Sequence, residues 1–259
     1  MEFNSQDEAC IHLQELIDQA DKIVAFTGAG ISTESGIPDF RSPNGLWSRM
    51  VPIQFDDFVS SEQARLEDWR RRFIMNREFS NADPNDGHKA LVRLADVGKL
   101  TCTITQNIDG LHQKSGLSAN HVIEIHGNST YGACLSCQAT SSLEHAKRAI
   151  DETGQAPRCQ QCGGFVKAAV ISFGQPMPQD TMMRAMRQSA ECNLFIVLGS
   201  SLQVYPAANL PQIAKHSGAE LVILNRDSTP LDDIADLSIH GEIGPLMQQI
   251  AVRGVPLQL

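Results

Sequence analysis

Between residues 8 and 20, Cys10, Leu13, Leu16 and Ile17 fall on one face at helical spacing, which predicts an opening helix. The next run, residues 22–27 (KIVAFT), is short, apolar and stopped by glycines. Comparable runs follow at 101–105, 122–125, 168–172, 194–198 and 221–224. Most are apolar at successive positions, as strands buried on both faces of a parallel sheet are. Helical patterns fall between them, so the chain reads as an α/β protein assembled from βαβ units. Two stretches break the rhythm. Around 128–167 Cys, Gly, Ser and Gln become common and apolar runs thin out, which marks a candidate small domain. Residues 36–63 carry Pro38, Pro43, Asn44, Gly45 and Pro52 and read as a long loop before a helix containing residues 65–72. Long loops inside compact domains are usually functional.

The length of 259 residues accommodates one large domain and a small insert, and an apolar content of 42% marks a globular chain. A formal net charge of −9 opposes binding to a phosphate backbone, so a nucleic-acid function is not expected, whereas a basic peptide is mildly attracted. No apolar stretch approaches the roughly 18 residues of a membrane span, and the first residues show no secretion signal, so the expected location is cytoplasmic.

Seven cysteines suit a reduced protein better than a disulfide framework. Four form two CxxC pairs, Cys134/Cys137 and Cys159/Cys162. One CxxC turn brings two thiolates to the same side, and two such turns close a tetrahedral zinc site. With four protein ligands no position is left for water, so the expected zinc is structural. The alternative, two redox-active pairs, fits less well with a compact polar segment between them. Cys10, Cys102 and Cys192 read as small buried thiols.

After the first predicted strand come Gly28, Ala29, Gly30, Ile31, Ser32 and Thr33, a turn that lets backbone amides approach a pyrophosphate. It is not the ordinary dinucleotide fingerprint. Thr33 replaces its last small residue, and Trp47 and Ser48 stand where an acid would grip the ribose, which disfavours a nicotinamide dehydrogenase. The turn continues into a loop with Asp39, Phe40, Arg41 and Trp47. TQNIDGLH at 105–112 and EIHGN at 124–128 each follow a predicted strand, so Gln106, Asn107, Asp109 and His126 are candidates to converge at strand C-termini.

Taken in order, GAGISTESGIPDFR at 28–41, TQNIDGLH at 105–112, HGN at 126–128, the four cysteines, SFGQPMP at 172–178, GSSLQVYP at 199–206 and LNRD at 224–227 resemble the sirtuin family of NAD-dependent protein deacylases. The resemblance spans nearly the whole chain. It implies a Rossmann-like parallel-sheet domain at 1–127 and 168–259, a zinc-ribbon insert at 128–167, and a cleft that uses NAD as a consumed co-substrate. It implies that Gly28, Ala29, Gly30, Ser32, Thr33, Asp39, Phe40, Arg41 and Trp47 belong to the NAD pocket and its loop. Gln106 and Asn107 would hold ribose hydroxyls and water, and Ile108 and Asp109 the nicotinamide carboxamide. Gly199, Ser200, Ser201, Asn225, Arg226 and Asp227 would surround the adenosine half, with Ile243 beside them. His126 would be the general base, a role suited to an imidazole titrating near neutrality, and Asn107 would act with it. The implied partners are acyl-lysine proteins or peptides, and the implied reaction is acyl transfer to ADP-ribose with release of nicotinamide.

The sequence departs from the family after the insert. Lys167 and Ala168 stand where Arg and Pro are usual, Ser172 replaces an aromatic, and Gln175 replaces a Glu, so substrate preference is less determined than NAD chemistry. Trp69 and Arg72 resemble the Tyr and Arg pair of sirtuins that remove acidic acyl groups. The favoured reading is plainer: Arg70, Arg71 and Arg72 form a solvated helix face, with Trp69 in the core. Two other functions fit the same motifs, an ADP-ribosyltransferase or NAD hydrolase and a non-catalytic NAD-sensing module.

Overall fold

The structure is a computed structural model and describes residues 6–40, 45 and 50–250. In chain order its strands are β1 (Ile23–Thr27), β2 (Leu100–Thr105), β3 (Val122–Glu124), β4 (Gly127–Cys134), β5 (Thr140–Ser142), β6 (Val166–Val170), β7 (Leu194–Leu198), β8 (Glu220–Leu224) and β9 (Leu237–Ile239). The helices are α1 (Gln6–Gln19), α2 (Phe55–Ser60), α3 (Glu62–Asn81), α4 (Asp86–Asp96), α5 (Leu111–Lys114), α6 (Leu143–Thr153), α7 (Gln179–Glu191), α8 (Leu210–His216) and α9 (Ile243–Gln248).

Six strands form one parallel sheet in the order β3-β2-β1-β7-β8-β9. Alternation along β1 explains how it is buried on both sides. Ile23 and Ala25 join a core with Leu13 and Ile17 of α1, Leu91 and Leu94 of α4 and Leu246 of α9. Val24 and Phe26 face a second core with Ala185 of α7, Leu210 of α8 and Phe195 of β7. Deleting a side chain as large as Phe26 from such a site costs about 3–5 kcal/mol. The three lone thiols are buried as expected, and burial pushes those of Cys102 and Cys192 up to about 12, which keeps them protonated and inert.

The remaining strands form a separate antiparallel sheet, β5-β4-β6. Here an expectation fails: the run at 168–172 is not a parallel strand of the large sheet but lies two residues earlier as β6, antiparallel to β4. An apolar run bears no mark of which sheet it joins or in which direction. The stretch 36–63 also holds more order than a loop, since it contains α2. Helix α3 starts where the Ser61 hydroxyl accepts from Ala64 N at 3.2 Å. It packs on the small sheet through Trp69, which is fully buried, donates from Nε1 to Val166 O at 3.2 Å and stacks on Phe73. Among the described residues no helix is long and apolar enough to cross a membrane.

Candidate active site

Strand order reverses direction between β1 and β7, because β1 continues outward to β2 and β7 to β8. Ligands of open α/β sheets collect outside the strand C-termini at such a point. Gly28 and Gly199 are the residues that leave these two strands. Gly28 N donates to Leu198 O at 3.0 Å and Gly30 N to Gly199 O at 2.8 Å, so the two turns interlock. Gly199 has φ +66°, and a Cβ there would collide with the backbone of Gly30 and Ile31. Only glycine fits on both counts.

Above the interlocked turns opens a cavity of about 1110 Å³. Small-molecule sites commonly occupy roughly 300–1,000 Å³, so the cleft has room for more than one ligand. Gly28, Ala29, Gly30, Thr33, Asp39 and Phe40 line it from the β1 side, and Gly199, Ser200 and Ser201 from the β7 side. Asn225, Arg226, Asp227 and Ile243 close one end; Gln106, Asn107, Ile108 and His126 stand deeper. Arg226 approaches Asp39 at 3.8 Å across the mouth. Arg41 and Trp47 lie outside the described residues.

Two of the predicted site residues, Ser32 and Asp109, sit behind this lining. Ser32 Oγ donates to Asp109 Oδ2 at 2.8 Å, and Asn107 Nδ2 donates to Ser32 Oγ at 3.2 Å and to Gly28 O at 3.1 Å. Burial raises the Asp109 carboxyl, while its bonds from Leu111 N and Ser32 work the other way. Farther back, Thr27 Oγ1 donates to Thr105 Oγ1 at 2.8 Å. A hydroxyl has one proton, so His112 Nε2 must be the donor in its 2.8 Å bond to Thr27 Oγ1. Burial drives His112 down to about 3 and its neighbour His88 to about 4, and both rings stay neutral. His112 lies within the TQNIDGLH motif but is not among the predicted site residues.

His126 follows β3 and precedes β4, at the junction of the two sheets. Its Nδ1 lies 3.1 Å from Gln106 O, which can only accept; Nδ1 therefore carries the proton and Nε2 is the basic nitrogen of the neutral ring. Two more bonds fix the frame: Ser200 Oγ donates to Gln106 Oε1 at 2.8 Å, and Ile171 N donates to His126 O at 2.9 Å.

The opposite wall belongs to α3 and the chain after β6. Asp68, Arg72 and Met75 share one helical face on the cavity, with Val170, Ile171 and Phe173 beside them. The three arginines do not form one solvated face. Arg70 is exposed, Arg71 is half-buried against Glu67, and Arg72 is buried. Trp69 is in the core as expected. Gln175 Oε1 accepts from Ser172 N at 3.1 Å, so the two substituted positions brace each other.

The four Sγ atoms of Cys134, Cys137, Cys159 and Cys162 lie within 4.8 Å of one another. Spacings of 3.5 Å for Cys134–Cys162 and 3.6 Å for Cys137–Cys159 are close to the roughly 3.8 Å edge of a tetrahedron with 2.3 Å metal–sulfur bonds. Each CxxC turn closes alike, Gln138 N donating to Cys134 O and Gly163 N to Cys159 O, with both closing residues left-handed. The donor set and spacing fit one zinc ion.

A family model described as the Sir2 family matches residues 28–206. The chain belongs to the Sir2 family. Among relatives, NAD-dependent protein deacetylase 1 of Bradyrhizobium diazoefficiens is 56% identical over 232 residues, covering 90% of this chain and 91% of the relative. NAD-dependent protein deacylase 2 of Archaeoglobus fulgidus is 39% identical, with 91% and 92% covered. A solved Sir2–p53 peptide–NAD+ structure superposes with a TM-score of 0.82 at 37% identity, covering 92% of this chain and 95% of that one. Within this Sir2 family chain the matched segment runs from the glycine turn at Gly28 through the cysteines to Pro206, so it contains both walls of the cleft.

Proposed function

We propose that this chain is an NAD-dependent protein-lysine deacylase, a deacetylase in the first instance, that transfers the acyl group to ADP-ribose and releases nicotinamide. The observation carrying this reading is a single cavity that is lined by the interlocked glycine turns and by His126 and extends to the α3 wall. NAD and an acyl-lysine side chain together need such a space. Bound NAD supplies an anomeric carbon that becomes electrophilic as nicotinamide leaves and takes up the acyl oxygen.

The protein's own groups do the rest. The backbone of Gly28, Ala29 and Gly30 admits the pyrophosphate, with Thr33, Asp39, Phe40, Arg41 and Trp47 covering it. Ser200, Ser201, Asn225, Arg226, Asp227 and Ile243 take the adenosine half. Gln106 and Asn107 orient ribose hydroxyls, and Ile108 with Asp109 receives the carboxamide. His126, held by Gln106 O, accepts a ribose-hydroxyl proton at Nε2. The four cysteines hold one structural Zn²⁺, and the insert they fold spans 128–167 between the Rossmann-like segments 1–127 and 168–259. The work of such an enzyme belongs in the cytoplasm. Nicotinamide release from NAD should require an acyl-lysine peptide and match deacylated peptide one for one. Release at the same rate without peptide would refute the reading in favour of hydrolysis.

A further inference from the structure

His112 lies behind the cleft, yet an unbroken line of bonds runs from its ring to His126. His112 Nε2 donates to Thr27 Oγ1 at 2.8 Å, and Thr27 Oγ1 donates to Thr105 Oγ1 at 2.8 Å. Thr105 Oγ1 also accepts from Asn107 N at 3.0 Å. That N–H belongs to the same peptide group as Gln106 O, the acceptor of His126 Nδ1 at 3.1 Å. A peptide group is a rigid plane, so turning its N–H turns its C=O as well. The carbonyl that selects the tautomer of His126 is therefore aimed, at its other end, by Thr105.

The line has a fixed direction. Because His112 Nε2 is a donor, the single proton of Thr27 cannot point at it and goes to Thr105. With no donor at 112, the Thr27 hydroxyl can rotate away, and Thr105 loses the bond that holds its oxygen at Asn107 N. The far end is firmly anchored: His112 is 2% exposed, its ring lies 5.1 Å from that of His88, and its carbonyl accepts from Leu117 N and Ser115 Oγ. Packing alone does not account for imidazoles here. Among the described residues His88 Nε2 and His112 Nδ1 have no partner, and a buried polar atom left unpaired costs stability that an apolar side chain would not. We propose that His112 is a positioning residue for His126, acting through Thr27, Thr105 and the Gln106–Asn107 peptide group to keep the proton of His126 on Nδ1 and its basic nitrogen at Nε2. The inference rests on the deacylase reading, in which His126 is the base, and adds to it a residue outside the cavity lining.

The test uses the full chain with its zinc. His112→Phe keeps a flat ring and removes the donor, whereas His112→Gln offers an amide N–H in place of the Nε2–H. His112→Phe should lower kcat on an acetyl-lysine peptide by about tenfold or more with KM for NAD and peptide within about twofold, and His112→Gln should recover most of the loss. Thr105→Val should cost a similar factor, and the double variant little more than either, because both break one line. Nitrogen NMR of isotope-labelled histidine rings, recorded without substrate, should show His126 protonated at Nδ1 in the unaltered protein and a mixture of tautomers in His112→Phe. Zinc content and the thermal shift on adding NAD report folding; if His112→Phe does not fold, Thr27→Val interrupts the same line and carries the same expectations. An unchanged kcat in the folded variant, or losses that multiply in the double variant, would overturn the proposal. A tautomer shift in His112→Phe of a protein that releases no nicotinamide would instead refute the deacylase reading and leave the positioning role standing.

Discussion

The two sheets of this chain are held together by different physics. In the six-stranded sheet, β1 and β7 are buried along their whole length and both faces carry apolar side chains into cores. In the three-stranded sheet, β5 is three residues long and largely exposed, and the cluster beneath includes Cys134 and Cys159 themselves. One half rests on two apolar cores alone; the other adds to a smaller core four thiols close enough to share a metal ion. The difference separates duties. The glycine turns of the cleft stand at the strand C-termini of the large sheet, and its α3 wall rests on the small sheet through Trp69.

The largest effect expected comes from removing one thiol. Cys159→Ala should abolish stoichiometric zinc, forfeiting much of the roughly 10–16 kcal/mol that such sites contribute to folding. Hydrogen exchange should rise across β4 and β6 while β1, β7 and β8 stay protected; a variant that keeps one zinc per chain would contradict the account. His126→Ala strikes the junction instead. Turnover should fall by about 10²–10⁴, with zinc content and NAD affinity preserved.

Acid should attack the large half. His88 and His112 are held neutral with values near 4 and 3, below the ordinary 6.5, so the unfolded chain binds more protons than the folded one as pH drops below about 6.5. Stability is therefore full above that pH and declines beneath it, by about 2 kcal/mol per histidine at pH 5. Asp109 and Glu124, whose carboxyls burial raises, offset part of this. Urea unfolding at pH 7 and 5 measures the slope, and His112→Gln should flatten it. The smallest effect refines the metal half. Gln138 closes its CxxC turn at φ +63°, where the second turn uses Gly163. Gln138→Gly should stabilise the zinc-loaded protein by about 0.5–1 kcal/mol, read as a shifted denaturant midpoint.

Much of this was legible in the residues. Apolar runs bounded by glycine mark β1, β2, β7 and β8, because a doubly buried strand has no polar face to obscure it. The Gln106–Asp109 and His126 motifs follow β2 and β3, and the chain brings Gln106, Asn107, Ile108 and His126 to one cleft, while the CxxC pairs meet in a separate cluster. Other features left no signal. Strand β9 is three residues long, and Leu237 and Ile239 alone do not make a period. Residues 168–172 are as apolar as any parallel strand, so their membership of the small sheet could not be read from composition. Arg72 looked like one of three solvated cations; its burial follows from α3 turning Asp68, Arg72 and Met75 toward the cleft, which depends on the small sheet packed behind Trp69.

Mass spectrometry of the nucleotide formed from NAD and an acetyl-lysine peptide decides between deacylation and hydrolysis. Acetyl-ADP-ribose should form in equal amount to nicotinamide and free-lysine peptide; free ADP-ribose with the acetyl group still on the peptide would rule deacylation out.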